Sequence, residues 1–153
     1  MVAASSALIL AMSGASQAEV PGQITNRNSA KCLEIENSSR SNGARAQQWS
    51  CAGEGNRWYR RYVTSNVFQL VNVNSGKCLE IADSRKDNGA PAQQWDCVSG
   101  AYTQQWSVSA GNSVFFNRNS GKALEIDGSS YSNGARAQQW EHTGAHGQYW
   151  VSW

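Results

Sequence analysis

Three glutamates, each followed by a tryptophan at a constant spacing, are the residues of this chain best suited to joint chemistry. Each glutamate stands in a Leu-Glu-Ile segment, and each tryptophan ends an Ala-Gln-Gln-Trp segment further along; the pairs are Glu34 and Trp49, Glu80 and Trp95, and Glu125 and Trp140. The C–H face of a pyranose can lie on an indole, while its hydroxyls donate charge-assisted hydrogen bonds to a carboxylate. The pattern therefore indicates a sugar site, if the fold brings each pair together.

Two other interpretations of these pairs compete with sugar binding. An isolated pair is more often structural, with a partly buried tryptophan and a solvated glutamate, and a repeat multiplies core residues as readily as binding residues. A glycosidase would need two carboxylates in different environments. Three equivalent glutamates favour sugar binding over a catalytic pair in which one carboxylate acts as acid and the other as base. The chain also has only two histidines and no Ser-His-Asp ordering, which argues against a serine hydrolase. We predict that the protein is not an enzyme.

The chain is built from three internal repeats of similar length. The segment Asn26–Ile35 recurs at 72–81 and 117–126, and the segment Asn42–Trp49 recurs at 88–95 and 133–140. The copies span roughly 22–67, 68–113 and 114–153 and fill 19–153, which predicts a single domain. A fixed period of this kind, here about 45 residues, determines the fold.

Each repeat has the pattern of about four short strands, which makes twelve in all. Lys31–Ile35 alternates between polar and apolar residues, as a half-buried strand does, and Ser41–Ala44 is a turn sequence containing Asn-Gly. An open array would need capping repeats at its ends. Three equal units without caps predict an all-β fold closed around a threefold axis.

The four cysteines predict two disulfides. Cys32 and Cys51 have the same spacing as Cys78 and Cys97, whereas repeat three has Ala123 and His142 at these positions. A zinc site is the alternative, but no C-x₂-C pair supports it. We expect repeat three, which lacks a bridge, to be the loosest.

The disulfides also suggest a strand register. If Cys32 lies directly opposite Cys51, then Glu34 lies opposite Trp49, and directly opposite residues share a face. Leu33 and Ile35 then point into the core. The same register pairs Glu80 with Trp95 and Glu125 with Trp140.

The N-terminal segment, which ends at Ala18, has the pattern of a secretory signal peptide. Residues 1–18 contain no charged residue, Ala7–Met12 is apolar, and Ser16-Gln17-Ala18 resembles a cleavage site. A disordered tail is the competing interpretation. The pattern predicts export of residues 19–153 to the extracellular space, and no later segment is suited to membrane insertion.

The charge balance argues against nucleic acid as a partner. The chain has 13 Lys and Arg against 11 Asp and Glu, a formal net charge of +2, which leaves no large basic excess. Arg57, Arg60 and Arg61 flank aromatic residues and could contact an anionic glycan or nucleic acid. Because the chain is nearly neutral, we expect them instead on the solvated face of a strand. His142 and His146 are close in the chain, but nearby glycines disfavour a helix, so we predict no metal and no cofactor.

The combined motifs resemble the ricin B-type lectin domain, a β-trefoil. The resemblance lies in three Leu-acid-aliphatic segments, each followed by Gln-x-Trp, and in a closing Gln-x-Trp that begins at Gln104 and Gln148 and has a variant form at Asn56. It covers essentially all of residues 19–153. It implies carbohydrate binding, often of galactosides or xylan-type glycans, without catalysis or a metal. Such domains occur as lectins and as accessory modules of secreted glycoside hydrolases.

The resemblance assigns roles to residues of each repeat. The acid that holds the sugar falls on Glu34, Glu80 and Glu125, the stacking aromatic on Trp49, Trp95 and Trp140, the supporting amide on Gln47, Gln93 and Gln138, and the closing residue on Asn56, Gln104 and Gln148. Two features depart from the family pattern. Glutamate stands where aspartate is usual, and the asparagine expected before the closing motif is replaced by Gly55, Thr103 and Gly147.

Two classes of function follow from these observations. The first is a secreted carbohydrate-binding module with up to three weak sites acting together, and the second is a trefoil scaffold that binds a protein or acts as an inhibitor. A glycoside hydrolase, or a fragment of one, is a third and weaker possibility. Among the three sites, repeat two is expected to be strongest, because it alone has a bridge, the Glu80 and Trp95 pair, and an intact Gln104 motif.

Overall fold

Twelve short strands, four from each repeat, make up the described part of the protein. The computed structural model describes residues 19–111 and 113–153, so the predicted signal peptide lies outside the described residues. Within these residues, five three-residue 3-10 turns lie between strands: η1 (Glu36–Ser38), η2 (Ala82–Ser84), η3 (Tyr102–Gln104), η4 (Asp127–Ser129) and η5 (His146–Gln148). The strands are β1 (Thr25–Asn26), β2 (Cys32–Ile35), β3 (Ala46–Trp49), β4 (Trp58–Tyr62), β5 (Phe68–Asn72), β6 (Cys78–Ile81), β7 (Ala92–Trp95), β8 (Trp106–Val108), β9 (Phe115–Asn117), β10 (Ala123–Ile126), β11 (Ala137–Trp140) and β12 (Trp150–Val151).

Six strands form a closed ring and six form three hairpins beneath it. In the ring β1 pairs with β12, β4 with β5, β5 with β8, and β8 with β9. Backbone bonds between Gly22 and Trp58, and from Trp150 to Ser113, close the remaining gaps. The hairpins β2–β3, β6–β7 and β10–β11 touch one another through isolated bridges. This is the predicted all-β trefoil, and closure leaves no repeat at an end.

The register within each hairpin differs from the prediction by two residues. Glu34 lies opposite Gln47 and Cys32 lies opposite Trp49, and the other two hairpins repeat this pairing. The predicted pairing of Glu34 with Trp49 is therefore wrong, and so is that of the corresponding pairs in repeats two and three. The bridged cysteines are not directly opposite: β3 ends at Trp49, and Cys51 reaches back from the loop beyond it. A slip of two residues keeps every side chain on its predicted face.

The core is a threefold cluster centred on the last tryptophan of each repeat's closing motif. Trp58, Trp106 and Trp150 are fully buried, and each indole N–H donates at 2.9–3.0 Å to the backbone oxygen of the leucine in its own repeat's Leu-Glu-Ile segment. The leucines and isoleucines of these segments fill the space between them. All four residues of β2 are buried, so this strand is covered on both faces and is not half-buried as predicted.

A buried glutamine joins each repeat to its neighbour. The side-chain amide of Gln94 in repeat two donates to the backbone oxygens of Ser39 and Ser41 in repeat one, at 2.8 and 2.9 Å, and its oxygen accepts from Ser75 at 2.7 Å. Gln48 and Gln139 make the equivalent bonds, so the three contacts run around the axis in one direction. All three glutamines have no exposed surface. We call these residues the staple glutamines.

Both predicted disulfides are present. Cys32 is bonded to Cys51 and Cys78 to Cys97, with Cα atoms 5.1 Å apart in each case. Repeat three has an aromatic contact instead: the ring of His142 lies edge-on to Phe116, with centroids 5.6 Å apart.

Arg60 does not lie on a solvated strand face as predicted. It is buried, and its guanidinium lies 4.7 Å from the ring centroid of Phe68 and 5.5 Å from that of Trp153. Its terminal nitrogen donates to Ser152 at 3.0 Å. The cation is therefore held by aromatic faces near the C-terminus rather than by water.

We predict that Gln94→Ala lowers the free energy of unfolding by about 3 kcal/mol, because it removes three hydrogen bonds of 2.7–2.9 Å and leaves a cavity where a fully buried side chain stood. Urea denaturation followed by tryptophan fluorescence measures the change. Gln23→Ala, which alters an exposed glutamine and removes a single 3.3 Å bond to Asn56, is the control and should have a smaller effect than Gln94→Ala. Equal stabilities for the two variants would contradict the structural role of the staple.

The hairpin register also predicts that a third disulfide can be installed in repeat three. Ala123 lies opposite Trp140 just as Cys32 lies opposite Trp49, so Ala123→Cys with His142→Cys should form the missing bridge. The bridge would add up to about 3 kcal/mol of stability, reduced by the loss of the His142 ring contact. Hydrogen exchange of β10 and β11 in the parent, which should open first, should slow in the oxidised variant and not in the reduced one. Unchanged exchange after oxidation would contradict the prediction.

Candidate functional site

Three similar hollows open on the outer side of the hairpins, one in each repeat. Each has a volume of about 280–290 Å³ and is lined by the glutamate, the supporting glutamine and the exposed tryptophan of its repeat. We number them site one to site three after their repeats. The structure therefore brings together the three kinds of residue that the sequence singled out: Glu34, Gln47 and Trp49; Glu80, Gln93 and Trp95; and Glu125, Gln138 and Trp140.

In sites two and three, the carboxylate is held by two glutamine amides. Gln93 donates to one oxygen of Glu80 at 2.9 Å, and the closing Gln104 donates to the other at 3.0 Å. Glu125 receives the same pair of bonds from Gln138 and Gln148, at 2.9 and 3.0 Å. A carboxylate has about four acceptor positions, so two amides fix its orientation and leave capacity for further donors.

The closing glutamines are buried beneath the hollow rather than exposed in it. Gln104 also donates to the backbone oxygen of Asp96 at 2.9 Å and accepts from the amide of Val98 at 2.8 Å. Gln148 is held in the same way by Glu141 and Thr143. These bonds tie the loop after each hairpin to the carboxylate, so the closing glutamine positions the acid.

Site one lacks the second amide. Asn56 stands at the closing position, and among the described residues its only side-chain hydrogen bond is one of 3.3 Å from Gln23 to its oxygen. Its own side-chain nitrogen is buried there without a partner, and Glu34 is bonded only to Gln47, at 3.0 Å. Burial raises the pKa of Glu34, the Gln47 bond lowers it in part, and the charge of Glu36 raises it further.

The tryptophan that lines each hollow has an exposed indole ring that packs against a glycine of a neighbouring repeat. Trp49, Trp95 and Trp140 are 42, 41 and 38% exposed, whereas the glutamates beside them are buried. A Cβ built on Gly43 of repeat one would lie 3.7 Å from the ring of Trp95 in repeat two. Gly43 has φ +80°, a backbone conformation suited to glycine, and Gly89 and Gly134 repeat the arrangement. The Asn-Gly turn of one repeat therefore supports the indole of the next.

A 3-10 turn after the glutamate strand forms the rim of each hollow. These turns are η1 (Glu36–Ser38), η2 (Ala82–Ser84) and η4 (Asp127–Ser129), and each is held from the next repeat around the axis. Asn74 donates to the backbone oxygen of Ser38 at 2.8 Å, and Asn119 and Asn28 act likewise on η2 and η4. The polar rim residues differ between sites: Asn37 at site one, Asp83 at site two and Asp127 at site three.

The rim residues and the supporting glycines were not among the residues predicted for the site. Asn-Gly was recognised as a turn signal, but its contact with the tryptophan of another repeat has no local signature. The rim acids of sites two and three, Asp83 and Asp127, could have been found from their position shortly after Glu80 and Glu125. None of the helical segments within residues 19–111 and 113–153 is long and apolar enough to cross a membrane. In the same part of the chain, no three His, Cys, Asp or Glu side chains cluster as metal ligands.

Sequence comparison gives one family match and no curated relative. The family model described as the ricin-type beta-trefoil lectin domain matches residues 20–150. Among curated protein sequences, none matched the chain.

Solved structures with the same fold include designed, enzymatic and lectin proteins. The chain is similar to the designed threefold-symmetric protein ThreeFoil, with 33% identity, a TM-score of 0.80, and coverage of 85% of this chain and 95% of that one. It is similar to an exo-β-1,3-galactanase from Clostridium thermocellum, with 30% identity and a TM-score of 0.78, over 84% of this chain but only 28% of the enzyme. The C-terminal half of an earthworm R-type lectin, solved with GalNAc, has the same fold at 15% identity and a TM-score of 0.71, with coverage of 86% and 95%.

We predict that Asn56→Gln supplies the missing amide of site one and lowers the pKa of Glu34. The longer side chain can reach the second carboxylate oxygen, as Gln104 does in site two. Carboxyl ¹³C NMR titration of Glu34 measures the pKa. Gln23→Ala, which removes the present partner of Asn56 without adding a donor, is the control. An unchanged pKa of Glu34 in a folded Asn56→Gln protein would contradict the prediction.

The raised pKa of Glu34 also predicts a pH dependence of stability. Between the ordinary glutamate pKa of about 4.3 and the raised value, the folded state binds a proton more readily than the unfolded state. The contribution of Glu34 to the free energy of unfolding therefore falls as the pH rises through this window. Urea midpoints of the parent and of Asn56→Gln, measured across it, should diverge with increasing pH, with the variant declining less. Parallel pH profiles would count against the assignment.

Proposed function

The chain belongs to the ricin-type beta-trefoil lectin domain family, and we propose that it is a secreted, non-catalytic module that binds galactose-containing polysaccharides through three weak sites. In each site the tryptophan provides the face for the sugar ring, and the glutamate accepts from its hydroxyls. The supporting glutamines Gln47, Gln93 and Gln138, with the closing residues Asn56, Gln104 and Gln148, position the acid.

The observation that carries the proposal is an exposed indole beside a carboxylate whose orientation is fixed by amides. A carboxylate buried to this degree is expensive unless it is hydrogen-bonded, and Glu80 and Glu125 each have two donors on their inner side. Their remaining acceptor capacity faces a hollow bounded by the indole. This combination of an apolar plate and an oriented acceptor matches the two surfaces of a pyranose.

Galactose is proposed as the sugar on the basis of a structural neighbour. At 30% identity, the matching part of the Clostridium thermocellum protein belongs to an exo-β-1,3-galactanase, and this chain spans only about a quarter of that enzyme. Because this chain matches only 28% of that protein, we propose that it acts as a binding module of the kind that accompanies a catalytic domain. A xylan-type glycan is the competing ligand class.

Binding to a polymer should depend on several sites acting together. Each hollow is shallow and open, so a single site is expected to bind at about millimolar Kd, or about 4 kcal/mol. The three sites face outward from one rigid ring, and a branched polysaccharide can engage more than one of them. Linked binding then raises the apparent affinity without any new contact.

We predict that Trp95→Ala weakens binding more than Trp49→Ala or Trp140→Ala. Site two combines a disulfide, a doubly held carboxylate and the exposed indole, whereas site one lacks an amide and site three lacks the bridge. Loss of the indole should reduce affinity at its site about tenfold. Titration with β-1,3-galactobiose, followed by NMR, measures the effect after circular dichroism confirms folding. Tyr131→Ala, at an aromatic residue that is 66% exposed and outside the hollows, is the control.

Each alternative has a distinct outcome in a panel of β-1,3-galactan, xylan and other glycans. Binding to xylan and not to galactan would contradict the sugar assignment. Binding to no glycan at all would contradict sugar binding and favour a protein-binding scaffold. Release of reducing sugar by the pure protein would contradict the non-catalytic role. If Trp95→Ala binds sugar as tightly as the parent, site two is not the strongest of the three sites.

A further inference from the structure

A fourth hollow, different in chemistry from the three sugar sites, lies between repeats one and three. It has a volume of about 310 Å³ and is lined by Arg27, Asn28, His146 and Tyr149. We call it the Arg27 hollow. Its lining contains no carboxylate, and each of the four side chains can donate a hydrogen bond. Arg27 and His146 are exposed to solvent, so their donors are accessible.

The Arg27 hollow adjoins site three. The side-chain amide of Asn28 donates at 2.7 Å to the backbone oxygen of Ser129, which lines site three. Ala145 also lines site three, and the next residue, His146, lines the Arg27 hollow. A ligand that extends beyond the hollow of site three over this shared edge enters a region rich in hydrogen-bond donors.

The guanidinium of Arg27 is anchored and still has free donors. The Nε of Arg27 donates to the backbone oxygen of Trp150 at 3.1 Å, and the backbone amide of Arg27 donates to the backbone oxygen of Tyr149 at 2.9 Å. Among the described residues its terminal nitrogens make no hydrogen bond. An arginine held at Nε presents the rest of its planar fork to a carboxylate or a sulfate.

The equivalent positions beside the other two sites lack these features. Beside site two, the guanidinium of Arg118 lies 4.2 Å from the ring centroid of Tyr102, and one of its terminal nitrogens donates to the side-chain oxygen of Gln105. This arginine is therefore held over an aromatic ring and bonded at a terminal nitrogen. Beside site one, the corresponding residue is Val73, which lines an apolar hollow with Val20. Within residues 19–111 and 113–153, the Arg27 hollow is the one of the three symmetric positions at which both terminal nitrogens of an arginine are unbonded.

We propose that the Arg27 hollow is an anion subsite of site three, which receives the carboxylate or sulfate of an acidic sugar unit linked to the sugar on Trp140. The proposal rests on the proposed sugar-binding function. It makes site three selective for acidic glycan branches, while sites one and two bind neutral units.

Indole N–H signals in ¹⁵N NMR spectra test the proposal, because Trp49, Trp95 and Trp140 report the three sites separately. The probes are neutral β-1,3-galactobiose, the same disaccharide with a sulfate on its terminal unit, and the disaccharide extended by a glucuronate. We expect an acidic probe to shift the Trp140 signal with about fivefold higher affinity than the neutral one. The Trp49 and Trp95 signals should show no such preference, and added salt should reduce it.

Two arginine variants separate the subsite from general charge. Arg27→Gln should abolish the acidic preference at Trp140 and leave neutral binding unchanged. Arg118→Gln, which removes the same net charge beside site two, should preserve it. A preference limited to sulfate or to glucuronate, and lost in Arg27→Gln, supports the subsite and identifies its ligand.

The remaining outcomes contradict the proposal in distinguishable ways. Equal affinities of the neutral and acidic probes at Trp140, or an acidic preference that survives Arg27→Gln, would overturn the subsite and leave the sugar-binding function intact. If no probe shifts the indole signal of Trp49, Trp95 or Trp140, and no other glycan binds at these three sites, the proposed sugar-binding function is wrong. The proposed subsite, which depends on that function, is then wrong as well.

Discussion

The side-chain amide of a buried glutamine, used three times around an axis, is the interaction on which the rest of this structure depends. Each staple glutamine satisfies two backbone carbonyls of the neighbouring repeat and a serine of its own repeat. These carbonyls belong to the segment just before the Asn-Gly turn, which has no strand partner for them there. Because these part-buried carbonyls receive their side-chain donors from the neighbouring repeat, that repeat stabilises the turn in this position.

The same dependence makes each sugar site a product of more than one repeat. The turn held by a staple glutamine supports the exposed tryptophan of the staple's own repeat, as Gly43 does for Trp95. The rim of each hollow is held from the opposite direction by an asparagine of the following repeat, as Asn74 holds Ser38. A single repeat would therefore lack the support of its indole and the anchor of its rim, and closure of the ring is a condition for any site to form.

Features that depend on residues at a constant spacing within one repeat could be predicted from the sequence. The period, the number of strands, both disulfides and the grouping of glutamate, glutamine and tryptophan all follow from such spacing. The register was wrong because a disulfide joins residues that are near rather than directly opposite, and Cys51 lies beyond the end of its strand. The staple could not be predicted, because Gln47 and Gln48 are identical in type and adjacent. The face of β3 on which each side chain lies decides that Gln47 donates to the carboxylate of Glu34 and that Gln48 donates to the neighbouring repeat.

Several of the differences between the sites arise in the loop that joins each hairpin back to the ring. The exposed and buried tryptophans that flank this loop are closest in the sequence of repeat one and furthest apart in that of repeat two. The loop supplies the closing residue beneath the carboxylate and, in repeat three, His146 beside the hollow. None of the staple bonds involves it. A change in this loop can therefore alter the second amide, the pKa of the acid and the chemistry next to the site while the threefold frame is preserved. This loop therefore contributes to the affinity and selectivity of each site, together with the rim residues and, beside site three, Arg27. The threefold packing of the repeats determines whether the site forms at all.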